Sequence, residues 1–337
     1  MTNDQLGVRG QRAPFGQPAE NPHVLGDLTS GIIADVCPSI SAPLVKRGPL
    51  GKLNASRSQV SFSGDVGFRN LPAISRVEPT KIFAGIQFNE QAIGEVLTML
   101  WDRPSDAPFA YAVTPNADHV VRLHDATDVY RDRFYTAYSS AEWKLCDSRV
   151  LALLAKLRKR ELSVVAGSDL TARLFAEVIA AGDTICVIGG NTTIEGKLRL
   201  WFPNLNFVFH RPPLGLRDNQ VALAEAADFI VAAKARFTFI GVGSPQQEIL
   251  AELVFSRNNA TGIGLCVGAA LEFLTGYSRR APYWMQQAGL EWCHRLLSDP
   301  KRLWRRYLVE GPRVFRIALS DKYSRERMKV LRNKQSD

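Results

Sequence analysis

The chain has 337 residues, 46% of them hydrophobic, and a formal net charge of +9. That length and apolar content suit a packed core in one large or two small domains and exclude a disordered or fibrous chain. No apolar run approaches the ~20 residues of a membrane-spanning helix, and the start MTNDQLGVRG lacks the basic-then-apolar pattern of a secretion signal, so a cytoplasmic protein is expected. Cys37, Cys146, Cys186, Cys266 and Cys293 are odd in number and contain no close pair. They read as free thiols of a reducing compartment. The five histidines likewise form no metal-ligand spacing. Neither a metal nor a cofactor is expected.

Residues 1–80 hold eight of the 18 prolines and polar stretches such as GKLNASRSQVSFSGD, and they read as an extended, disordered lead. From Lys81 the texture changes. Short apolar runs alternate with amphipathic segments: IFAGIQF then QAIGEVLTMLW, FAYAVT then ADHVVRLHD, TICVIGG then TTIEGKLRLWF, NFVFH then NQVALAEAADFIVAAKA, FTFIGVG then PQQEILAELVF, and GIGLCVG then a helix from about Ala269. This alternation predicts an α/β, Rossmann-like core over residues 81–278, with a mainly parallel sheet and helices on both faces.

Ligands of such sheets bind beyond the carboxyl ends of the strands. The segments there are Thr114-Pro115-Asn116, Gly189-Gly190-Asn191, Arg211-Pro212-Pro213 and Gly243-Ser244-Pro245-Gln246-Gln247-Glu248. Gly189 and Gly190 would let backbone N–H groups approach a phosphate at a helix start, or simply form a loop. Neither a dinucleotide fingerprint nor a P-loop is present.

Asp147 precedes a run in which Val150, Leu151, Leu154 and Leu157 fall on one helical face. It reads either as that helix's N-cap or as a base that takes a proton from an attacking hydroxyl. Glu248 suits the first turn of its helix on dipole grounds, and the Gln247 amide suits a sugar or a base. Glu272 is placed to bind a uridine or ribose hydroxyl or to pair with Arg279 or Arg280.

Residues 279–337 carry 15 Lys/Arg against six acids and so hold the whole net charge. Trp284, Trp292, Trp304, Tyr307, Leu308 and Phe315 are interleaved among those bases. The segment reads as a basic amphipathic helical appendage broken at Gly311-Pro312. It suits an anionic membrane surface or diphosphate, nucleic acid or no more than a solvated face.

The run from Gly264 contains G-x-x-x-RAP-x-W, GLEW-x-x-RL and P-x-R-x-x-RRY elements in order. In these it resembles the bacterial WecG/TagA/CpsF glycosyltransferases, glycosyltransferase family 26. Upstream, VTPNADHVV, LCDSRV, AGSDL and FIGVGSPQQE resemble that family's T-x-N, A-D-G, G-x-D-L and G-x-P-K-Q-E motifs, so the likeness spans about residues 81–312. The resemblance implies an inverting enzyme without an essential metal that moves a sugar from a UDP-sugar to a polyprenyl-diphosphate-linked sugar. It implies peripheral attachment to the inner face of the cytoplasmic membrane, a role in surface polysaccharide assembly, no nucleic-acid partner, and self-association as in related transferases. It further implies that Asp147 is the base, that Thr114 and Asn116 line the donor pocket, that Gln247 touches substrate, and that Arg302, Arg305 and Arg306 hold diphosphate charge. The chain departs from the pattern at Ser148 for glycine, Val164 for arginine, Glu272 for aspartate and Gln246 for lysine. A glycine at position 148 points to a backbone conformation that serine avoids. Two further readings are an inactive relative serving as an assembly partner and a nucleic-acid-binding module built on the tail.

Overall fold

The computed structural model describes residues 80–320; the lead over residues 1–79 and the end of the basic tail, residues 321–337, lie outside them. IFAGIQF does not form the expected strand of the parallel sheet. It folds as an antiparallel hairpin of β1 (Thr80–Phe83) and β2 (Ile86–Asn89). The cause is local: Ala84 and Gly85 both have positive φ, at 46° and 74°. Two such residues make a tight turn whose twist matches that of paired strands. The hairpin is tied to the core by Asn89 Oδ1, which accepts from the Lys144 N–H at 2.7 Å, and by the Glu90 carbonyl, which accepts from Ser163 Oγ at 2.6 Å.

After α1 (Ile93–Asp102) come β3 (Ala110–Val113), α2 (Ala117–His124), α3 (Arg131–Ser140), β4 (Trp143–Lys144) and α4 (Arg149–Leu157). The chain continues through α5 (Gly167–Arg173), β5 (Thr184–Gly189), α6 (Thr192–Trp201), β6 (Asn206–His210), α7 (Gln220–Ala233), β7 (Phe237–Gly241), α8 (Gln246–Ser256) and β8 (Ile263–Cys266). Six of the strands form one sheet in the order β4-β3-β8-β7-β5-β6, every neighbouring pair parallel. The expected α/β, Rossmann-like architecture is therefore the observed one.

The sheet explains why its strands read as unbroken apolar runs: both faces are buried. Along β3, Tyr111 and Val113 enter a cluster with Val120, Leu151, Leu223 and Leu250, whereas Ala110 and Ala112 enter another with Leu97, Leu170, Leu198 and Phe239. On α4, Leu151 and Leu154 are buried, but Leu157, expected on the same face, is exposed at the helix end. Cys146, Cys186 and Cys266 are buried free thiols and Cys293 is a partly buried one, while Cys37 lies outside the described residues.

The C-terminal part contains α9 (Ala270–Leu274), α10 (Tyr283–Gln287), α11 (Glu291–Ser298), α12 (Pro300–Trp304) with a wider helical turn over Arg305–Glu310, and α13 (Arg313–Leu319). The break expected at Gly311-Pro312 is present. Beyond it, α13 packs against α2 and α4 and buries Val314, Ile317 and Ala318 in the cluster that holds Val120 and Leu151.

Candidate active site

Because the six strands are parallel, their carboxyl ends share one edge, and the loops leaving β3 and β4 are neighbours there. The Asp147 N–H donates to the Pro115 carbonyl at 2.9 Å, and the Cys146 carbonyl accepts from the Val165 N–H at 2.9 Å. The backbone that carries Asp147 is thus held from both sides. Ser148, not Asp147, caps α4: its Oγ accepts from the Leu151 N–H at 3.2 Å. That corrects the capping reading of Asp147 and leaves its carboxylate without a side-chain hydrogen bond among the described residues. Ser148 has φ −161° and ψ 112°, an extended backbone open to any residue, so no glycine is needed there.

Asp147 opens into a cavity of about 330 Å³ whose lining includes the polar Asn116, Asp118, Arg295 and Arg306 and the aromatic or apolar Trp292, Tyr307, Val314 and Phe315. Burial pushes the Asp147 carboxyl up to about 7; Arg295 and Arg280 oppose that shift, and Glu291 and Asp169 add to it. A carboxylate that titrates near neutrality is suited to accept a proton and hold it through a reaction. Asn116 caps α2, its Oδ1 accepting from the N–H groups of Asp118 and His119 at 3.0 and 3.2 Å. Asp118 receives Arg122 Nε at 2.9 Å and Arg306 Nη2 at 3.0 Å. Burial works to raise the Asp118 carboxyl, but Arg306 and Arg122 outweigh it and hold the group below its ordinary value.

The other sequence-predicted residues are spread along the same edge or lie off it. Thr114 is buried and donates Oγ1 to the Cys266 carbonyl at 2.8 Å, which ties β3 to β8; it does not line the cavity. Gly189 and Gly190 end β5 with φ of 102° and 72°. A Cβ on Gly189 would sit 3.1 Å from the Gly241 carbonyl oxygen, so close strand approach already requires that glycine. Gly243 precedes the cis Ser244-Pro245 bond, and its carbonyl accepts from the Gln247 N–H at 3.0 Å.

Gln247 is buried and its amide is engaged inside the protein. Its Oε1 accepts from the Gly268 N–H at 3.1 Å, and its Nε2 donates to Glu248 Oε1 at 2.8 Å. Burial pushes Glu248 up to about 7, against the opposing effects of Gln247 and Ser244. His119 Nδ1 lies 3.9 Å from Glu248 and 2.6 Å from the Tyr138 hydroxyl. Burial drives His119 down to about 3, so at neutral pH its contact with Glu248 is not an ion pair.

Glu272 does not form the expected pair with Arg279 or Arg280: its Oε2 accepts from Ser278 Oγ at 2.6 Å, whereas Arg280 is committed to Asp169 and Glu291. Arg302 and Arg305 are exposed and bridge to Asp299 and Glu310 within their own segment, at 2.6 and 3.2 Å. The structure therefore brings Asp147, Asn116 and Arg306 to one cavity. The sequence reading missed Asp118, Arg295, Trp292 and Tyr307 as lining groups and Arg280 with Asp169 behind them. The GLEW-x-x-RL element, which contains Trp292 and Arg295, was the available signal.

At the carboxyl edge of the parallel sheet stands a carboxylate raised by burial to about 7, in a cavity that Arg295 and Arg306 also line. Residues 81–328 match the model of the glycosyl transferase WecG/TagA/CpsF family, and the chain belongs to that family. Among the described residues no helix is long and apolar enough to cross a membrane.

Proposed function

We propose that this protein transfers a sugar from a UDP-sugar to a polyprenyl-diphosphate-linked sugar during bacterial surface polysaccharide assembly, with inversion at the anomeric carbon. The observation that carries the reading is Asp147: a carboxylate free of capping, pushed up to about 7 by burial and facing a cavity that Arg295 and Arg306 also line. In this mechanism Asp147 takes the proton of the acceptor hydroxyl as its oxygen attacks the anomeric carbon on the face opposite UDP. The bond to the UDP oxygen breaks, and its electron pair leaves with the diphosphate. Guanidinium groups match phosphate oxygens in charge and geometry, so Arg295 and Arg306 take the charge-neutralising part that a metal ion plays elsewhere.

Peripheral attachment to the inner face of the cytoplasmic membrane completes the reading. It is supported by the exposure of Trp284, Leu297, Trp304, Leu308, Val309 and Phe315 beside the exposed Lys301, Arg302, Arg305 and Arg316. Apolar side chains among cations suit an anionic bilayer surface.

The test is UDP release from a panel of UDP-sugars, with and without a polyprenyl-diphosphate-sugar acceptor, in buffer and in chelator. Acceptor-dependent release with one donor, preserved in chelator and lost in Asp147→Asn, is the expected result. Full turnover by a folded Asp147→Asn protein that binds UDP overturns the role of Asp147. Release by no donor, with any acceptor, overturns the transfer reading.

A further inference from the structure

Three sequence elements meet at one guanidinium, through side chains that the proposed chemistry leaves unused. Arg280, from the RAP element, donates through Nη1 and Nη2 to the two carboxylate oxygens of Asp169, the second contact at 3.3 Å, and through Nε to Glu291 Oε1 at 3.3 Å. Asp169 belongs to the G-x-D-L element and lies in the first turn of α5; Glu291 belongs to the GLEW element and is the first residue of α11. The Arg280 side chain is only 13% exposed. A two-pronged Arg–carboxylate contact fixes direction as well as distance.

Both ends of this bridge abut the site. At the α5 end, a Cβ on Gly167 would lie 3.5 Å from Thr114 Cγ2 and from Val267, so the helix start rests on the ends of β3 and β8. At the α11 end, Gly289 has φ 71°, and a Cβ there would be 3.6 Å from Arg149 Cβ and 3.9 Å from Val150, so the turn before α11 lies on the start of α4 beside Asp147. Within one turn of Glu291 stand Trp292 and Arg295, both lining the cavity.

The geometry points to Arg280 as a positioning residue: by joining Asp169 to Glu291 it holds the start of α11, and with it Trp292 and Arg295, against the loop that carries Asp147. This rests on the reading of the Asp147 cavity as the site of transfer. Arg280 touches no reacting atom in this role. Its effect is on where the cavity wall stands, and a misplacement of about 1 Å in an active site can cost about a hundredfold in rate.

The experiment compares wild type, Arg280→Gln, Arg280→Lys and Glu291→Gln in the full chain, by amide hydrogen exchange over residues 283–298, UDP affinity, and kcat and KM across pH. The expected result for Arg280→Gln is faster exchange in that segment and unchanged exchange in β5 and β7. UDP affinity should hold within about twofold while kcat falls by about ten- to a hundredfold. Lysine reaches only one carboxylate at a time and recovers part of the loss. Glu291→Gln, which keeps an acceptor oxygen but removes the charge of one arm, gives a smaller loss, and its combination with Arg280→Gln costs less than the sum of the two.

The acid limb of the kcat profile should move to higher pH in Arg280→Gln, because a cation facing Asp147 is gone. The charged groups around that carboxylate are Arg149 of α4, Arg295 and Glu291 of α11, Asp169 of α5, Arg280 itself and, in the same cavity lining, Asp118 and Arg306. Unchanged exchange over residues 283–298 together with unchanged kcat overturns the assignment. Should Arg280→Gln fail to fold, the same readouts on Arg280→Lys and Glu291→Gln decide it. Should wild type transfer no sugar at all, the proposed function fails, and the exchange data alone then decide whether Arg280 holds α11.

Discussion

Arg306 Nη2 lies 3.0 Å from Asp118 Oδ2, so a side chain from the turn after α12 is paired with the first turn of α2, at the rim of the cavity that Asp147 enters. Arg122 Nε holds the same carboxylate oxygen at 2.9 Å. Arg306→Gln keeps the Asp118–Arg122 pair and removes one charge from the cavity. The expected outcome is a fall in kcat/KM of about ten- to a hundredfold, the scale of one charge-assisted hydrogen bond, with the fold intact by circular dichroism.

The pH dependence of turnover follows from Asp147. Its base form accumulates only as pH rises through about 7, so kcat should rise with pH through that value and flatten above it. A kcat that is already flat from about pH 5 upward would remove Asp147 from the proton-transfer step.

The same shift has the opposite sign for stability. The folded-state value of Asp147 is raised from 3.8 to about 7, so between those values the folded protein keeps a proton that the unfolded chain has lost. The stability this contributes is fully present below the lower value and is lost as pH rises through the upper one. Glu248, raised from 4.5 to about 7, acts in the same direction. Thermal melts should therefore show Asp147→Asn gaining on wild type as pH increases from about 5 to about 8, a more stable and less active protein.

Ser148 replaces a glycine of the family pattern without strain, since its backbone is extended and its hydroxyl caps α4. Ser148→Gly should cost only a few tenths of a kcal/mol, and Ser148→Ala about 1 kcal/mol, in denaturant unfolding. Both variants should retain transfer. Loss of activity in Ser148→Gly with stability unchanged would show that the hydroxyl serves substrate instead of the helix.

Leu297, Trp304 and Val309 are 79%, 52% and 54% exposed and lie off the cavity lining. Replacing all three with glutamate should weaken sedimentation with anionic vesicles by more than about tenfold, given about 1.5–3 kcal/mol for each large apolar side chain buried. Transfer to a detergent-dispersed acceptor should persist. Undiminished vesicle binding would place the membrane contact elsewhere.

The parallel core was legible because strands buried on both faces leave unbroken apolar runs such as TICVIGG and FTFIGVG, and those are β5 and β7. Local chemistry hid the rest. The turn at Ala84-Gly85 splits one apolar run into a hairpin, and β4 is two residues long. The α3 sequence RDRFYTAYSS mixes polar and aromatic residues with little helical periodicity, although Phe134, Ala137 and Tyr138 are buried. Asp147 was legible as a candidate but not as free of capping, because Asp and Ser are equally good caps and only the geometry shows that Ser148 takes the bond. Arg280 and Asp169 are 111 residues apart, and no spacing rule within one element connects them.

The burial of α13 against α2 and α4 gives the C-terminal segment two obligations at once. Its Phe315 and Val314 line the cavity, while Val314, Ile317 and Ala318 are buried in the interior. A chain cut after Gly311 would therefore leave Val120 and Leu151 facing water, besides losing a wall of the site. Substitutions at Phe315 that reshape the cavity are therefore tolerated only while Ile317 and Ala318 of the same short helix continue to fill the interior.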